Sequence, residues 1–429
     1  MKNSERIFAA ANEVIPNGVS SPMRTFSLVG GSPIILESAK GSKIIDVDGR
    51  EYTDFLSGFG AIYLGHSRTE ISNAVSEQLD KGLVVGLSTE IEQQLAKKIV
   101  DSTSAIDKLR FVVSGSEAVM TALRIARAYT NRKLFLKFVG SYHGHADALL
   151  AQPEGNEGVA TKGTTNGVAE HNVLLCEYNN SEQLREIFET HGDQIAAVIV
   201  EPFATNMGFV KPQQGFHQNI RQLCNDYGSL FIFDEVVTGF RFRFGGVSEL
   251  LDVDPDLTTF GKIIGGGAPV GAYGGKEKFM KLVEIGNKVF QSGTFAGNPI
   301  TMSAGNAALD IMAQPGFYEK MDAKGKLLES EIKTHFAKFD IPFHFTRFGA
   351  LSGIAFRRSE ADMKSYSDVK QQEYDVFKNT HLVMREKGYL MAPSLEEPIF
   401  LTDAHSEEDI KGFAKALAET IAEQLQKHF

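Results

Sequence analysis

Short apolar runs that stop abruptly at polar or glycine-rich residues recur through the middle of the chain. Phe111-Val112-Val113 runs into Ser114-Gly115-Ser116, Leu134 to Phe138 into GSYHGHAD, and Ala196 to Val200 into EPFATNMG. Leu230-Phe231-Ile232-Phe233 ends in Asp234-Glu235, and Leu257 to Phe260 runs into Gly261-Lys262 and three glycines. Runs of this length, without alternation and bounded by turn residues, read as buried strands. Helical periodicity lies between and around them. Residues 4 to 14 form an amphipathic helix ended by Pro16-Asn17-Gly18, and two more helices fall near 69 to 81 and 89 to 103. The second has Thr89 and Glu92 at capping-box spacing, with Ile91, Leu95 and Ile99 on one face. A long helix follows Ser114, with Glu117 three residues on. Ser42 to Phe55 alternates around Asp48-Gly49 as a hairpin. The last helix, Glu407 to Gln426, is capped by Ser406 and Asp409 and carries a stripe of Ile410, Phe413, Leu417, Ile421 and Leu425.

Strands alternating with helices predict an α/β fold. The boundaries expected are a segment 1–55 that belongs with a smaller α+β domain, a large domain over 56–305, and the rest of the small domain over 306–429. A chain of 429 residues can hold two or three such domains. Net charge −10, with no basic block, argues against a nucleic-acid surface. Two cysteines, Cys176 and Cys224, make neither a disulfide framework nor a CxxC zinc pair. The N-terminus lacks a signal-peptide core and no apolar run is long enough to span a bilayer, so the expected location is the cytoplasm.

The candidate chemistry gathers where strands end. If the runs ending at Asp234 and Lys262 are parallel neighbours, an acid and an amine are aimed into one crevice at the carboxyl edge of a sheet. Pyridoxal phosphate (PLP) uses such a pair: a lysine forms a Schiff base with its aldehyde, and a carboxylate keeps its pyridine nitrogen protonated. The Ser114–Glu117 turn opens a helix, where free amides and the positive dipole end suit a phosphate, although an ordinary capped helix has the same sequence. Gly58-x-Gly60 lacks the third glycine of a dinucleotide fingerprint. His143, His145 and Asp147 alternate as metal ligands could, but Gly144 between the histidines points to a turn and no metal is expected. At the end of the strand that closes at Val200, Glu201 and Asn206 are further candidates. Glu201 is expected either to serve the site or to pair with a nearby arginine.

Three stretches, DEVVTGFR, PDLTTFGKIIGGGAPVGAYGG and QSGTFAGNP, resemble the class III aminotransferases, and within them the glutamate-1-semialdehyde 2,1-aminomutases. The resemblance runs from GVSSPMRTF near the start to APSLEEPIF near the end. It implies fold type I of the PLP-dependent transferases: a large domain with a mostly parallel seven-stranded sheet flanked by helices, plus the smaller α+β domain. It also implies roles. Lys262 is the Schiff-base lysine and catalytic base, Asp234 the ring partner, and Val236 lies beside the ring. Gly115 and Ser116 cradle the phosphate, Tyr142 stacks on the ring with His143 beside it, and Asn206 approaches the phenolic oxygen. Thr294 reaches the phosphate of a partner subunit, which implies a homodimer with sites shared across the interface. Ser21, Arg24 and Glu397 hold a carboxylate-bearing amino or oxo acid substrate. Residues 151–175 correspond to a gating loop, sharing GVAT at 158–161 but without the family's downstream serine-proline-glycine. Phe59 stands where the family usually has tryptophan, and this chain has none. The implied reaction converts glutamate 1-semialdehyde to 5-aminolevulinate. Two alternatives stay open: two-substrate transamination of another carboxylate-bearing acid, and a catalytically silent PLP-binding protein.

Overall fold

The computed structural model describes residues 2–84, 86–154, 158–161, 171–339 and 342–428. These residues divide into two compact units. One comprises 70–317 with 363–366, and the other comprises 1–69, 318–362 and 367–429.

The larger unit is built on a seven-stranded sheet. Its strands lie in the order Lys108–Val112, Gly271–Gly275, Leu257–Gly261, Leu230–Glu235, Ile195–Val200, Leu134–Phe138, Val173–Cys176. The five strands from Leu257–Gly261 to Val173–Cys176 are mutually parallel, and Gly271–Gly275 runs antiparallel to both its neighbours. Parallel strands buried on both faces need continuous apolar sequence, and every residue of Ile195–Val200 and Leu230–Glu235 is buried. The helix Gly115–Thr130 lies across one face. Ala118, Ala122, Leu123, Ile125 and Ala126 face Phe135, Ala197, Ile199, Ile232 and Tyr273 in one core cluster. Small alanines on the helix let it approach the sheet closely. Ser114 caps this helix as its spacing predicts: the Glu117 N–H donates to Ser114 Oγ at 3.2 Å, and Glu117 Oε2 accepts from the Val113 N–H at 2.9 Å.

The smaller unit carries a four-stranded sheet in the order Leu36–Lys40, Lys43–Asp46, Glu51–Asp54, Tyr389–Leu390, and a separate three-stranded sheet of Phe345–Phe348, Leu351–Ile354 and Ile399–Phe400. The hairpin turns at Asp48-Gly49, with Gly49 at φ 80°. The helix Glu407–His428 buries the whole expected stripe, Ile410, Phe413, Leu417, Ile421 and Leu425. Phe55 stacks on Phe413 with ring centroids 3.7 Å apart. At its N-terminus Ser406 and Asp409 cap reciprocally, each main-chain N–H donating to the other side chain at 3.0 Å.

Two expectations differ from what is observed. The units divide at 69/70 and 317/318, later than the expected 55/56 and 305/306. The loop after Phe55 stays with the smaller unit because His66 Nε2 lies 2.7 Å from Asp54 Oδ2 and Arg68 pairs with Asp403. At the other boundary, the helix Pro299–Met312 belongs with the large unit, packing on the turn at Lys262–Gly265 and on the helix Glu90–Asp101. The second difference is at Thr89, which does not cap that helix: its hydroxyl is buried without a hydrogen-bond partner among the described residues. Glu92 instead turns toward the Gly297 turn, where a methyl group on Gly297 would come 2.3 Å from Oε1.

Because the caps and stripe of the last helix carry the smaller unit, we expect Phe413→Ala to destabilise it by about 3–5 kcal/mol. Ser406→Ala should cost about 1 kcal/mol. Thermal and urea unfolding of both variants should preserve that ranking, and equal losses would contradict it.

Candidate active site

Parallel pairing sets the centre of the site. Asp234 lies opposite Thr259 in the register between Leu230–Glu235 and Leu257–Gly261, so the second strand ends one turn of chain later at Lys262, on the same edge of the sheet. The Thr259 hydroxyl donates to Asp234 Oδ1 at 3.1 Å, tying the two strands where they open. The Val236 N–H donates to the same oxygen at 3.1 Å. On the other oxygen, His143 Nδ1 sits 2.6 Å from Asp234 Oδ2. A carboxylate can only accept, so Nδ1 carries the proton, and Nε2 faces the interior without a hydrogen-bond partner among the described residues. Both side chains are buried, Asp234 at 5% and His143 at 2% exposure. Three donors fix the direction of this buried carboxyl group.

Lys262 is left-handed, at φ 48°. Such a backbone costs a non-glycine residue about 1–2 kcal/mol and is found where a side chain must be aimed. Its neighbour Gly261 is closely packed, with a Val236 methyl 3.2 Å from where a Cβ would stand. Val236 also meets Gly115 from the other side, 3.0 Å from a would-be Cβ. The helix start at Gly115, the strand end at Val236 and the lysine turn are therefore packed against one another.

The first amides of a helix have no partner within it. At Gly115–Thr130 they sit beside the Ser116 hydroxyl, which lies 3.3 Å from His145 Nδ1. Gly144, at φ 102°, lets the histidine loop press onto this turn: a methyl there would come 2.5 Å from Ser116 Oγ. Around the other edge, Glu201 accepts from the Tyr142 N–H at 3.3 Å, the Thr205 N–H and hydroxyl at 2.9 and 2.7 Å, and Asn206 Nδ2 at 2.9 Å. Its partners are these donors, with no arginine among them. The Tyr142 ring is half exposed, at 51%.

The large unit thus brings together Gly115, Ser116, Tyr142, His143, Asn206, Asp234, Val236 and Lys262 around one sheet edge. Thr294 is exposed in the same unit, in the turn before Pro299–Met312. The other three candidates belong to the smaller unit. Ser21 and Arg24 lie on a short 3-10 turn, Arg24 exposed, and Glu397 lines an apolar cavity with Phe55, Phe356, Phe377 and Met391. Of the 151–175 segment, Ala151–Glu154 and Gly158–Thr161 pair as an antiparallel hairpin, while 155–157 and 162–170 lie outside the described residues. Among the described residues no cluster of His, Cys, Asp and Glu is arranged to hold a metal ion, and no helix is long and apolar enough to cross a membrane.

The set fits a pyridine ring that carries a phosphate and an aldehyde. It offers a carboxyl group and a lysine at neighbouring strand ends, a helix start with a hydroxyl for the phosphate, and an imidazole whose Nε2 has no hydrogen-bond partner among the described residues. Thr259 and Thr205 were missed in the sequence. Thr259 has a usable signal, since in a parallel pair the residue opposite a strand-end acid is the natural donor to it.

Glu235, next along the strand, points the opposite way. It is fully buried, and both of its oxygens lie within hydrogen-bond reach of the Val247 N–H, at 2.9 and 3.0 Å. Burial raises its pKa from 4.5 to about 8. The folded state therefore binds more protons than the unfolded state between those values, and this contribution to stability is lost as pH rises from about 4.5 through about 8. Unfolding free energies across that window should decline less steeply in Glu235→Gln than in the unmodified protein; parallel profiles would show that Glu235 is already ionised.

Comparison with known proteins agrees with this geometry. The Aminotransferase class-III family profile matches residues 28–417. The chain is 42% identical over 415 residues to the glutamate-1-semialdehyde 2,1-aminomutase of Persephonella marina, covering 96% of each chain. An omega-transaminase from Sphaerobacter thermophilus superposes with TM-score 0.90 at 29% identity, over 99% of this chain and 97% of that one. A glutamate-1-semialdehyde aminomutase from Pseudomonas aeruginosa superposes with TM-score 0.89 over 98% of this chain and 94% of that one, at 22% identity, which speaks to the fold alone. With its mostly parallel seven-stranded sheet and strand-end acid and lysine, the chain belongs to the class III aminotransferase family.

Proposed function

We propose that the protein is a PLP-dependent glutamate-1-semialdehyde 2,1-aminomutase, forming 5-aminolevulinate. The observation that carries the chemistry is the His143–Asp234 contact of 2.6 Å on the strand beside the one that ends at Lys262. The observation that favours this substrate is the 42% identity, over nearly the full length of both chains, to an aminomutase.

Each residue then has a task. Asp234, fixed by His143, Thr259 and the Val236 amide, would face the ring nitrogen of bound PLP and favour a proton there. Lys262 would hold the cofactor when it is bound as the aldehyde and, when its amine is free, would take and return the proton at the substrate carbon. Ser116 and the amides at Gly115 hold the phosphate, Tyr142 covers a ring face, and Asn206 donates toward the phenolic oxygen. Bound PLP itself supplies the electron sink. By family resemblance alone, substrate binding falls to Ser21, Arg24 and Glu397, and a guanidinium suits a carboxylate because it can pair with both oxygens.

Exposed apolar side chains beside Thr294 support a homodimer in which Thr294 reaches the partner's phosphate. Ile285 is fully exposed, Phe290 is 78% and Phe295 59% exposed. Side chains of this kind grouped along one loop mark an interaction surface. We place the enzyme in the cytoplasm.

Pure enzyme loaded with the amine form of the cofactor should convert many equivalents of glutamate 1-semialdehyde to 5-aminolevulinate with no second substrate. Asp234→Asn should lower kcat on the order of a hundredfold. Yield limited to one equivalent per bound cofactor, with further turnover only after an amino donor is added, would replace the aminomutase reading with two-substrate transamination.

A further inference from the structure

Glu201 is buried, at 3% exposure, where the strand Ile195–Val200 meets its loop. Its oxygens serve two different loops. Oε1 accepts from the Tyr142 N–H of the loop that also carries His143, and Oε2 accepts from Thr205 and from Asn206 Nδ2 of its own loop. All four contacts are made by donor groups, of which only the Thr205 hydroxyl can also accept, so the pocket is built around a carboxyl group that accepts from two loops. Burial pushes the Glu201 pKa up, with His143 and Thr205 opposing. Lys137, 3% exposed on the strand Leu134–Phe138, donates to Leu149 O at 2.7 Å, and burial lowers its pKa to about 8 with the Glu201 charge opposing. A buried carboxyl group bonded this thoroughly resists any change in its position, because losing one partner leaves a buried polar group unpaired.

We infer that Glu201 is a positioning residue: a single carboxylate fixes Tyr142 and Asn206, on the loops after the two strands to one side of the Asp234 strand, relative to each other and to the ring they are proposed to hold. The inference rests on the proposed cofactor. It treats Glu201 as acting through Tyr142 and Asn206, without touching the reacting atoms.

The consequence of Glu201→Gln follows from the donor pattern. An amide has one accepting oxygen. Placing it at Oε2 keeps three bonds and sets an NH2 against the Tyr142 N–H, whereas the reverse orientation sets the NH2 against both the Thr205 N–H and Asn206 Nδ2. The variant therefore releases the Tyr142 loop and keeps Asn206. Thr205→Val is the contrasting change, because it removes one donor to the same carboxylate and leaves both of the bonds that join the loops.

Three quantities separate positioning from simple support: the PLP dissociation constant, the absorbance maximum of bound PLP, and amide exchange at residues 141–143. Glu201→Gln should weaken PLP binding roughly tenfold, the factor that ~1.4 kcal/mol makes, shift the band, and speed exchange at 141–143. Thr205→Val should lower the melting temperature but leave affinity and band unchanged. If Glu201→Gln keeps wild-type affinity, band and exchange, or if Thr205→Val changes the cofactor readouts as much, the inference fails. Should Glu201→Gln not fold, exchange in the unmodified protein decides the matter. PLP should protect 141–143 and 205–207 together, and protection of only one segment in PLP-bound protein overturns the inference. Absence of any PLP binding to the unmodified protein would instead overturn the proposed cofactor.

Discussion

The geometry depends on a carboxylate that three donors hold at the end of a buried strand. His143, Thr259 and the Val236 amide surround Asp234, and each comes from a different piece of chain. Thr259 belongs to the neighbouring parallel strand that leads into Lys262, so one hydrogen bond links the strand of the acid to the strand of the amine. Parallel pairing is what makes this possible, since it puts the ends of both strands on one edge. Desolvation makes the charge costly unless it is fully paired, and full pairing is what gives it a fixed direction.

The same sheet edge shows three buried carboxylates put to three uses. Asp234 faces the crevice. Glu235, one residue later and therefore on the opposite face, is turned to the Val247 amide and serves packing. Glu201, two strands' ends away from the lysine, ties two loops together. Residue type alone does not distinguish them. What separates them is the alternation of strand side chains and the identity of the donors that each one meets.

Much of this was legible in the sequence. The strands ending at Val200, Asp234 and Lys262, the cap at Ser114 and the buried stripe from Ile410 to Leu425 all follow from local pattern, because burial on one face or two leaves a period in the residues. Other features were not. Thr89 has the spacing of a cap, but its hydroxyl is buried away from the helix amides and Glu92 is drawn toward the Gly297 turn. Glu201 looked equally suited to an arginine, because the Tyr142 amide that it joins to its own loop comes from 59 residues away in sequence. The limits of the units were hidden as well: Asp54 holds His66 by a tertiary contact that no local pattern signals. Ser21, Arg24 and Glu397 were assigned through family resemblance alone, since a loop arginine and a half-buried glutamate have no pattern of their own.

The central claim is that the amine at position 262 is the one that bonds the cofactor. Reduction of the PLP-loaded protein with borohydride, followed by proteolysis and mass spectrometry, tests it directly. A single pyridoxyl group on the peptide carrying Lys262 is the predicted result. A label on another lysine, or none on a protein that has bound PLP, would contradict it.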